Sequence, residues 1–314
     1  MKKWLIGLVL VILLLVGCTY FFIPDRLKIS KNILINANQQ GTFRFLADKN
    51  NWTKWWRGTT SDSDMEKGFL KYGDYDFHVN QILHNAFEIN LIGENTYKTS
   101  LLQIFSSAVD SINVRWSAEF IAGSNPLRRI QQYFAAKKVE LYFEDILNDL
   151  KKHLDTLKNI YGIDIKKEKV QFQLLISTKQ SFSYYPTIIE IYSMIDKLKH
   201  HLNKSDVRAD SFPMLNIQTT DSANYVAQVA LPVPKKIPEE NNISVKWMMK
   251  DGNILTAEVI GGIKSIDSSM KQFDKYISDY QRTVIAIPFQ LLITDRLKQP
   301  DSTKWITRLY YPVI

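Results

Sequence analysis

A single cysteine, Cys18, occurs in the whole sequence. One thiol excludes both a disulfide framework and a thiolate metal cluster. The five histidines do not fill that gap. His78, His84 and His153 have no carboxylate or second ligand at metal-binding spacing, while His200 and His201 lie side by side near a helix end, where they can meet terminal carbonyls. Neither H-E-x-x-H nor H-x-x-E-H is present, and the Walker loop, G-x-S-x-G and G-x-G-x-x-G are missing as well. Gly261-Gly262 reads as a turn before a helix, with phosphate cradling as the weaker alternative. These absences leave no cofactor, no metal and no catalytic residue to assign.

Charge of one sign is also scarce. Forty Lys and Arg against 32 Asp and Glu give a net +8, which favours anionic surfaces such as lipid headgroups but is too diffuse to imply a nucleic acid partner. With 45% hydrophobic residues over 314 positions, the chain can build two ordinary domains with proper cores.

The apolar residues begin at once. Trp4 to Ile23 is a run of twenty almost uninterrupted apolar residues, flanked by Lys2-Lys3 and Pro24-Asp25-Arg26. At helical rise that length matches the ~30 Å hydrocarbon core, so a transmembrane anchor over 1–26 is expected. Leu15-Val16-Gly17-Cys18 resembles a bacterial lipobox, which leaves a lipoprotein tethered at Cys18 as the alternative. The apolar stretch continues past the cysteine, which favours an uncleaved single-pass anchor with the soluble parts outside the cytoplasm.

Beyond it, LKISKNILIN alternates as a strand does, with Ile29, Ile33 and Ile35 on one parity. A short helix ending in an aromatic knot follows at NANQQGTFRFLADKNNWTKWW, and then strand-like runs at YDFHVNQIL, AFEINLI, SLLQIFSS and SINVRWSAEFIA. Asn125-Pro126 opens a helical region whose apolar positions Tyr142, Ile146, Leu150, Leu154 and Leu157 recur at helical spacing up to Gly162. The order implies an antiparallel sheet crossed by one long helix. From Asp164 onward the pattern strand, helix, strand, strand occurs twice. VQFQLLIS, the stripe Ile188 to Leu202, FPMLNIQT and YVAQVALPV form one copy. ILTAEVI, the stripe Met270 to Tyr280, FQLLIT and KWITRLYYPV form the other. Two such units can pair about a pseudo-twofold and leave a cleft.

Two resemblances rest on these stretches. ILINANQQGTFRFLADKNNWTKWW, SINVRWSAEFIAG and LYFEDILNDLKKHLD resemble the opening, late strand and closing helix of the START-like (SRPBCC, polyketide-cyclase-like) superfamily. This resemblance covers residues 27–162 and implies a helix-grip domain that holds apolar ligands under its long helix. GNILTAEVIGGIKSI and WITRLYYPV resemble the GyrI-like, or bacterial transcription-activator effector-binding, family over residues 163–314. Relatives usually read W-x-T-E in the closing strand. The resemblance implies that this glutamate meets cationic or electrophilic ligands in a cleft and serves as the acid-base in hydrolytic members. Here the aligned position is Arg308.

That reversal changes the chemistry. A guanidinium with a pKa above ~12 is no general base and repels cations. Arg308 therefore either pairs with a carboxylate such as Glu258 or binds an anionic ligand, and pairing is preferred because buried arginines usually have protein partners. On the closing strand, Ile306, Arg308 and Tyr310 share one face and Trp305, Thr307, Leu309 and Tyr311 the other. Tyr225, Trp247, Trp305 and Tyr310 are the aromatics that could stack on a flat ligand, although core packing explains most strand aromatics. Trp52, Trp55, Trp56 and Trp116 are expected in the core of the first part.

The expectation is an α+β chain: an N-terminal transmembrane helix, a START-like domain and a GyrI-like domain of two repeats. It is expected to be a membrane-attached, non-enzymatic protein binding a small apolar or aromatic ligand, with an anionic ligand left open. Its candidate contacts are Tyr225, Trp247, Glu258, Trp305, Arg308 and Tyr310. The alternatives are a hydrolase or cyclase acting on a small electrophile, for which Glu190 and Glu258 are the carboxylates to test, and a ligand-sensing transcriptional regulator.

Overall fold

The computed structural model describes residues 2–58, 68–94, 96–221, 224–240 and 242–314. It divides into two compact units, Met1–Thr156 and Leu157–Ile314, each built on its own antiparallel sheet. The chain is thus α+β.

In the first unit, helix α1 (Lys2–Phe22) precedes strand β1 (Arg26–Ile35) and helix α2 (Gln39–Ala47). Asn38 caps α2 by accepting from the amides of Gln40 and Gly41. A 3₁₀ turn over Lys49–Lys54 then gathers Trp52, Trp55 and Trp56 into one buried cluster, with ring centroids 5.1 to 6.1 Å apart. Strands β2 (Phe69–Tyr72), β3 (Tyr75–Ile82), β4 (Ala86–Gly93), β5 (Thr96–Ala108) and β6 (Ser111–Ile121) complete a sheet of order β1-β6-β5-β4-β3-β2. In β6, Ile112, Val114, Trp116, Ala118 and Phe120 are buried, and the residues between them face outward.

Helix α3 (Pro126–Leu154) follows, started by Pro126 in its first turn and by Asn125, whose side chain accepts from the amides of Leu127 and Arg128. It buries Val139, Phe143, Ile146, Leu147, Leu150 and Leu154. Trp116 lies flat on Phe143, with centroids 4.3 Å apart and planes 8° off parallel, and its Nε1 donates to Ser100 Oγ at 3.0 Å. Trp56 and Phe77 close around the same ring. These aromatics fill part of the space between α3 and the sheet, while a cavity of about 450 Å³ remains between α3 and β1, lined by Leu27, Ile29, Tyr133 and Ala136 among others.

The transmembrane expectation is corrected. Among the described residues no helix is long and apolar enough to cross a membrane. The apolar run reaches twenty residues only by including Thr19 to Ile23, and the protein uses that end. The Thr19 hydroxyl donates to the Val16 carbonyl at 2.7 Å, the Tyr20 hydroxyl donates to the Ser124 carbonyl, and the Arg129 guanidinium sits 4.6 Å from the Tyr20 ring. The two Tyr20 contacts tie the last turn of α1 to the start of α3.

The second unit opens with the short helix α4 (Leu157–Tyr161), whose Tyr161 hydroxyl donates to the buried carboxylate of Asp279 at 2.7 Å. After the edge strand β7 (Lys166–Lys169) come β8 (Leu174–Phe182), α5 (Ile188–Lys204), β9 (Met214–Asp221) and β10 (Asn224–Val233). A second edge strand, β11 (Ser244–Trp247), separates these from β12 (Asn253–Ile260), α6 (Ile263–Asp279), β13 (Phe289–Leu292) and β14 (Ile306–Pro312). The sheet order is β11-β8-β10-β9-β13-β14-β12-β7. Reflected about the β9–β13 junction, where Leu291 faces Met214, β8, β10 and β9 correspond to β12, β14 and β13. This is the strand-helix-strand-strand repeat written in hydrogen bonds. Both helices cover the same sheet face: α5 packs on Leu215, Ala227, Val229 and Leu231, and α6 on Leu255, Ala257, Leu309 and Tyr311. Among the described residues of this unit, no helix packs on the opposite face.

Candidate functional site

The site is built from the alternation of the strands. Thr307, Leu309 and Tyr311 of β14 point to α6 and are buried, so Ile306, Arg308 and Tyr310 must point to the helix-free face, where each is half-buried. The same parity brings Met214, Ala230, Leu175 and Leu291 together on that face as a small apolar cluster, with Phe172, Met248, Phe289 and Tyr310 around it. Phe289 and Tyr310, paired across β13 and β14, stack with centroids 4.9 Å apart and planes 4° off parallel. Beside this wall lies a chamber of about 430 Å³, lined mainly by apolar atoms of Leu175, Met214, Ala230, Met248, Ile287 and Phe289. That volume suits one drug-sized molecule. Ser177, Asn216, Gln228 and Lys246 add polar groups to the lining, and Trp247, 66% exposed, touches it from the end of β11.

Arg308 finds a partner that the sequence did not suggest. Its Nη2 donates to Glu168 Oε1 on the edge strand β7 at 3.2 Å, and its Nη1 donates to the Tyr310 hydroxyl at 3.4 Å. Glu258 lies directly across β12 in register but is exposed, and contributes only its field. Partial burial works against the charge of Arg308. The Tyr310 hydroxyl and the carboxylates of Glu168 and Glu258 outweigh it, and the guanidinium pKa is raised. With 36% and 34% of the two side chains exposed, the pair with Glu168 is well hydrated. Arg308→Met should therefore lower stability by under about 1 kcal/mol, as an exposed pair does, instead of the roughly 3–5 kcal/mol lost when a buried pair is broken. The urea midpoint of the second unit measures which applies.

The other candidates separate by face. Tyr310 backs the chamber wall through Phe289, whereas Trp247 touches the chamber from the end of the edge strand β11 although its position opposite Leu174 gives it helix-side parity. Trp305 lies on the helix side. It is buried, its Nε1 donates to the Gln299 carbonyl at 2.8 Å, and its ring carries the guanidinium of Arg296 at 4.9 Å. Tyr225 also has helix-side parity, and meets Tyr185 edge-on at 5.6 Å. Arg296, unremarked in sequence, is buried and donates through Nη2 to Thr307 Oγ1 at 2.9 Å; burial pushes its pKa down. Glu190 closes the capping box of α5 with Thr187 and accepts from the Tyr184 hydroxyl. These bonds hold its carboxyl below the usual range, which suits a cap and not a general acid. Lys246, Met214 and Phe289 were missed because parity alone does not say which sheet face lacks a helix.

No family profile matches the chain, and no curated protein matches it in sequence. The chain is similar to the C-terminal domain of EcmrR at 13% identity and a TM-score of 0.42, over 48% of this chain and 98% of that one. SAV2435 bound to tetraphenylphosphonium superposes at 15% identity and a TM-score of 0.32, over 48% and 93%. A START superfamily protein from Mycobacterium smegmatis covers 41% of this chain and 98% of its own, at 13% identity and a TM-score of 0.30. At such identities and superposition scores these likenesses say nothing about what this chain binds.

Proposed function

We propose that the second unit binds one small apolar or aromatic molecule in the chamber on the helix-free face of its sheet, and that the protein works by binding, not by catalysis. The observation that carries this reading is the chamber itself: about 430 Å³, set between two repeats, with a mainly apolar lining and a few polar groups in it. A fully covered sheet face would have no such space. Among the described lining residues there is no histidine, carboxylate or thiol; Ser177 and Lys246 supply a hydroxyl and an ammonium group.

The test is a fluorescence titration of the full chain with N-phenyl-1-naphthylamine, an uncharged aromatic probe that brightens in apolar surroundings. Saturable binding at one site per chain is expected. Ala230→Trp, which fills the chamber from the middle of β10, should abolish it, and Gln228→Trp, at the chamber's more exposed margin, serves as a second block if the first variant fails to fold. Binding that survives in a folded blocked variant would place the probe elsewhere and overturn the proposal.

A further inference from the structure

Next to the chamber is a second cavity, of about 370 Å³, lined by Ser177, Thr178, Lys179, Gln228, Asn242, Ile243, Ser244 and Lys246. The two share Ser177, Gln228 and Lys246, so they adjoin across one short boundary. Their chemistry differs. The first is lined mainly by apolar atoms. The second has hydroxyls, amides and two ammonium groups, and among the described lining residues of both cavities there is no Asp or Glu.

Register explains how the lysines converge. On the helix-free face, Lys246 of β11 lies opposite Leu175 of β8, Ser244 opposite Ser177, and Lys179 opposite Gln228 of β10. The Ser177 and Ser244 hydroxyls are 3.3 Å apart and form a polar floor between the two lysines. Nearby acids on the connection before β11 are engaged elsewhere. Glu239 accepts from the Val245 amide at 2.9 Å, and Glu240 sits 3.2 Å from His201 Nδ1. Lys179 and Lys246 have no acidic partner among the described residues.

We infer that the ligand is an aromatic anion: a flat apolar body in the first chamber, against Phe289 and Met248, and an anionic group in the second, between Lys179 and Lys246. This inference rests on the binding reading above and names the ligand class for the same site. Two lysines without a carboxylate between them raise the local potential, reward a negative group and penalise a cation. Hydroxyl and amide donors at Ser177, Ser244 and Gln228 can take the remaining oxygen lone pairs. The apolar body supplies most of the affinity, and the charge supplies selection.

The experiment compares two probes with the same aromatic body in the full chain: 8-anilinonaphthalene-1-sulfonate and the uncharged N-phenyl-1-naphthylamine. The sulfonate is expected to bind about tenfold more tightly at low salt, because both ammonium groups are exposed and their field is partly screened. That preference should shrink to about twofold or less in Lys179→Gln/Lys246→Gln and on raising ionic strength to about 1 M, where the Debye length is ~3 Å. It should persist in Lys298→Gln, a control remote in sequence whose ammonium pairs with Asp295. If the sulfonate binds no better than the neutral probe, while Ala230→Trp still abolishes neutral binding, the chamber stands and the anion inference falls. A preference that survives the double lysine variant also overturns it. If neither probe responds to Ala230→Trp, both readings fail together.

Discussion

Trp116→Ala should lower the stability of the first unit by about 3–5 kcal/mol, the range for truncating a fully buried aromatic whose surroundings cannot collapse. The indole has no exposed surface. It lies flat on Phe143 of α3, it is flanked by Trp56 and Phe77, and its Nε1 is bonded to Ser100 Oγ. Ser100 keeps its own bond to the Ile89 carbonyl at 2.7 Å after the change, so the loss comes from packing and not from a stranded polar group. Two compact units, each with its own sheet, should unfold in two urea steps. Only the step belonging to the first unit should move. A shift of both steps by the same amount would show that the units fold as one. The void left beneath α3 would be apolar and dry, able to take up a benzene-sized molecule.

Why some of this was legible in the sequence and some was not follows from which interactions are local. Asn125-Pro126 marks the start of α3 because a cap and a proline act within one turn. The doubled strand-helix-strand-strand pattern is readable because burial imposes periods of 2 and 3.6 on each element separately. Parity alone put Arg308 with Tyr310 and against Leu309, which is how the strand lies. Register and the choice of face are non-local, and there sequence reasoning stopped. Tyr225, Trp247, Trp305 and Tyr310 group as ligand aromatics by residue type, yet the register gives Tyr225, Trp247 and Trp305 the parity of the helix-covered side and Tyr310 that of the other. Glu168 was passed over because β7 reads Lys-Lys-Glu-Lys, with no apolar pattern to mark a strand, and only the pairing with β12 brings it to Arg308. The run at the amino terminus reads as a span by its length, whereas among the described residues no helix is both long and apolar enough to cross a membrane, and Tyr20 near its end meets Ser124 and Arg129.

Phe273→Ala is the counterpart in the second unit and should also cost about 3–5 kcal/mol. Phe273 is fully buried at the centre of α6 and stacks on Tyr311 of β14 with centroids 4.6 Å apart and planes 11° off parallel. Burial, with the Asp274 charge adding to it, raises the Tyr311 pKa, so the phenol stays neutral at working pH and the stack loses only packing. The consequence reaches the chamber because β14 is one strand with two faces. Tyr311 and Leu309 hold it to α6, while Tyr310 between them backs the Phe289 wall. A ligand that binds only the folded second unit restores stability by RT ln(1 + [L]/Kd), about 2.7 kcal/mol at a hundredfold excess over Kd. Saturating N-phenyl-1-naphthylamine should therefore recover a large part of what Phe273→Ala loses, and recover nothing of what Trp116→Ala loses, because that deficit sits in the other unit. Urea unfolding of both variants with and without the probe makes the comparison. If the probe rescues Trp116→Ala and not Phe273→Ala, the binding site lies in the first unit after all, and the chamber on the second sheet is not where this protein takes its ligand.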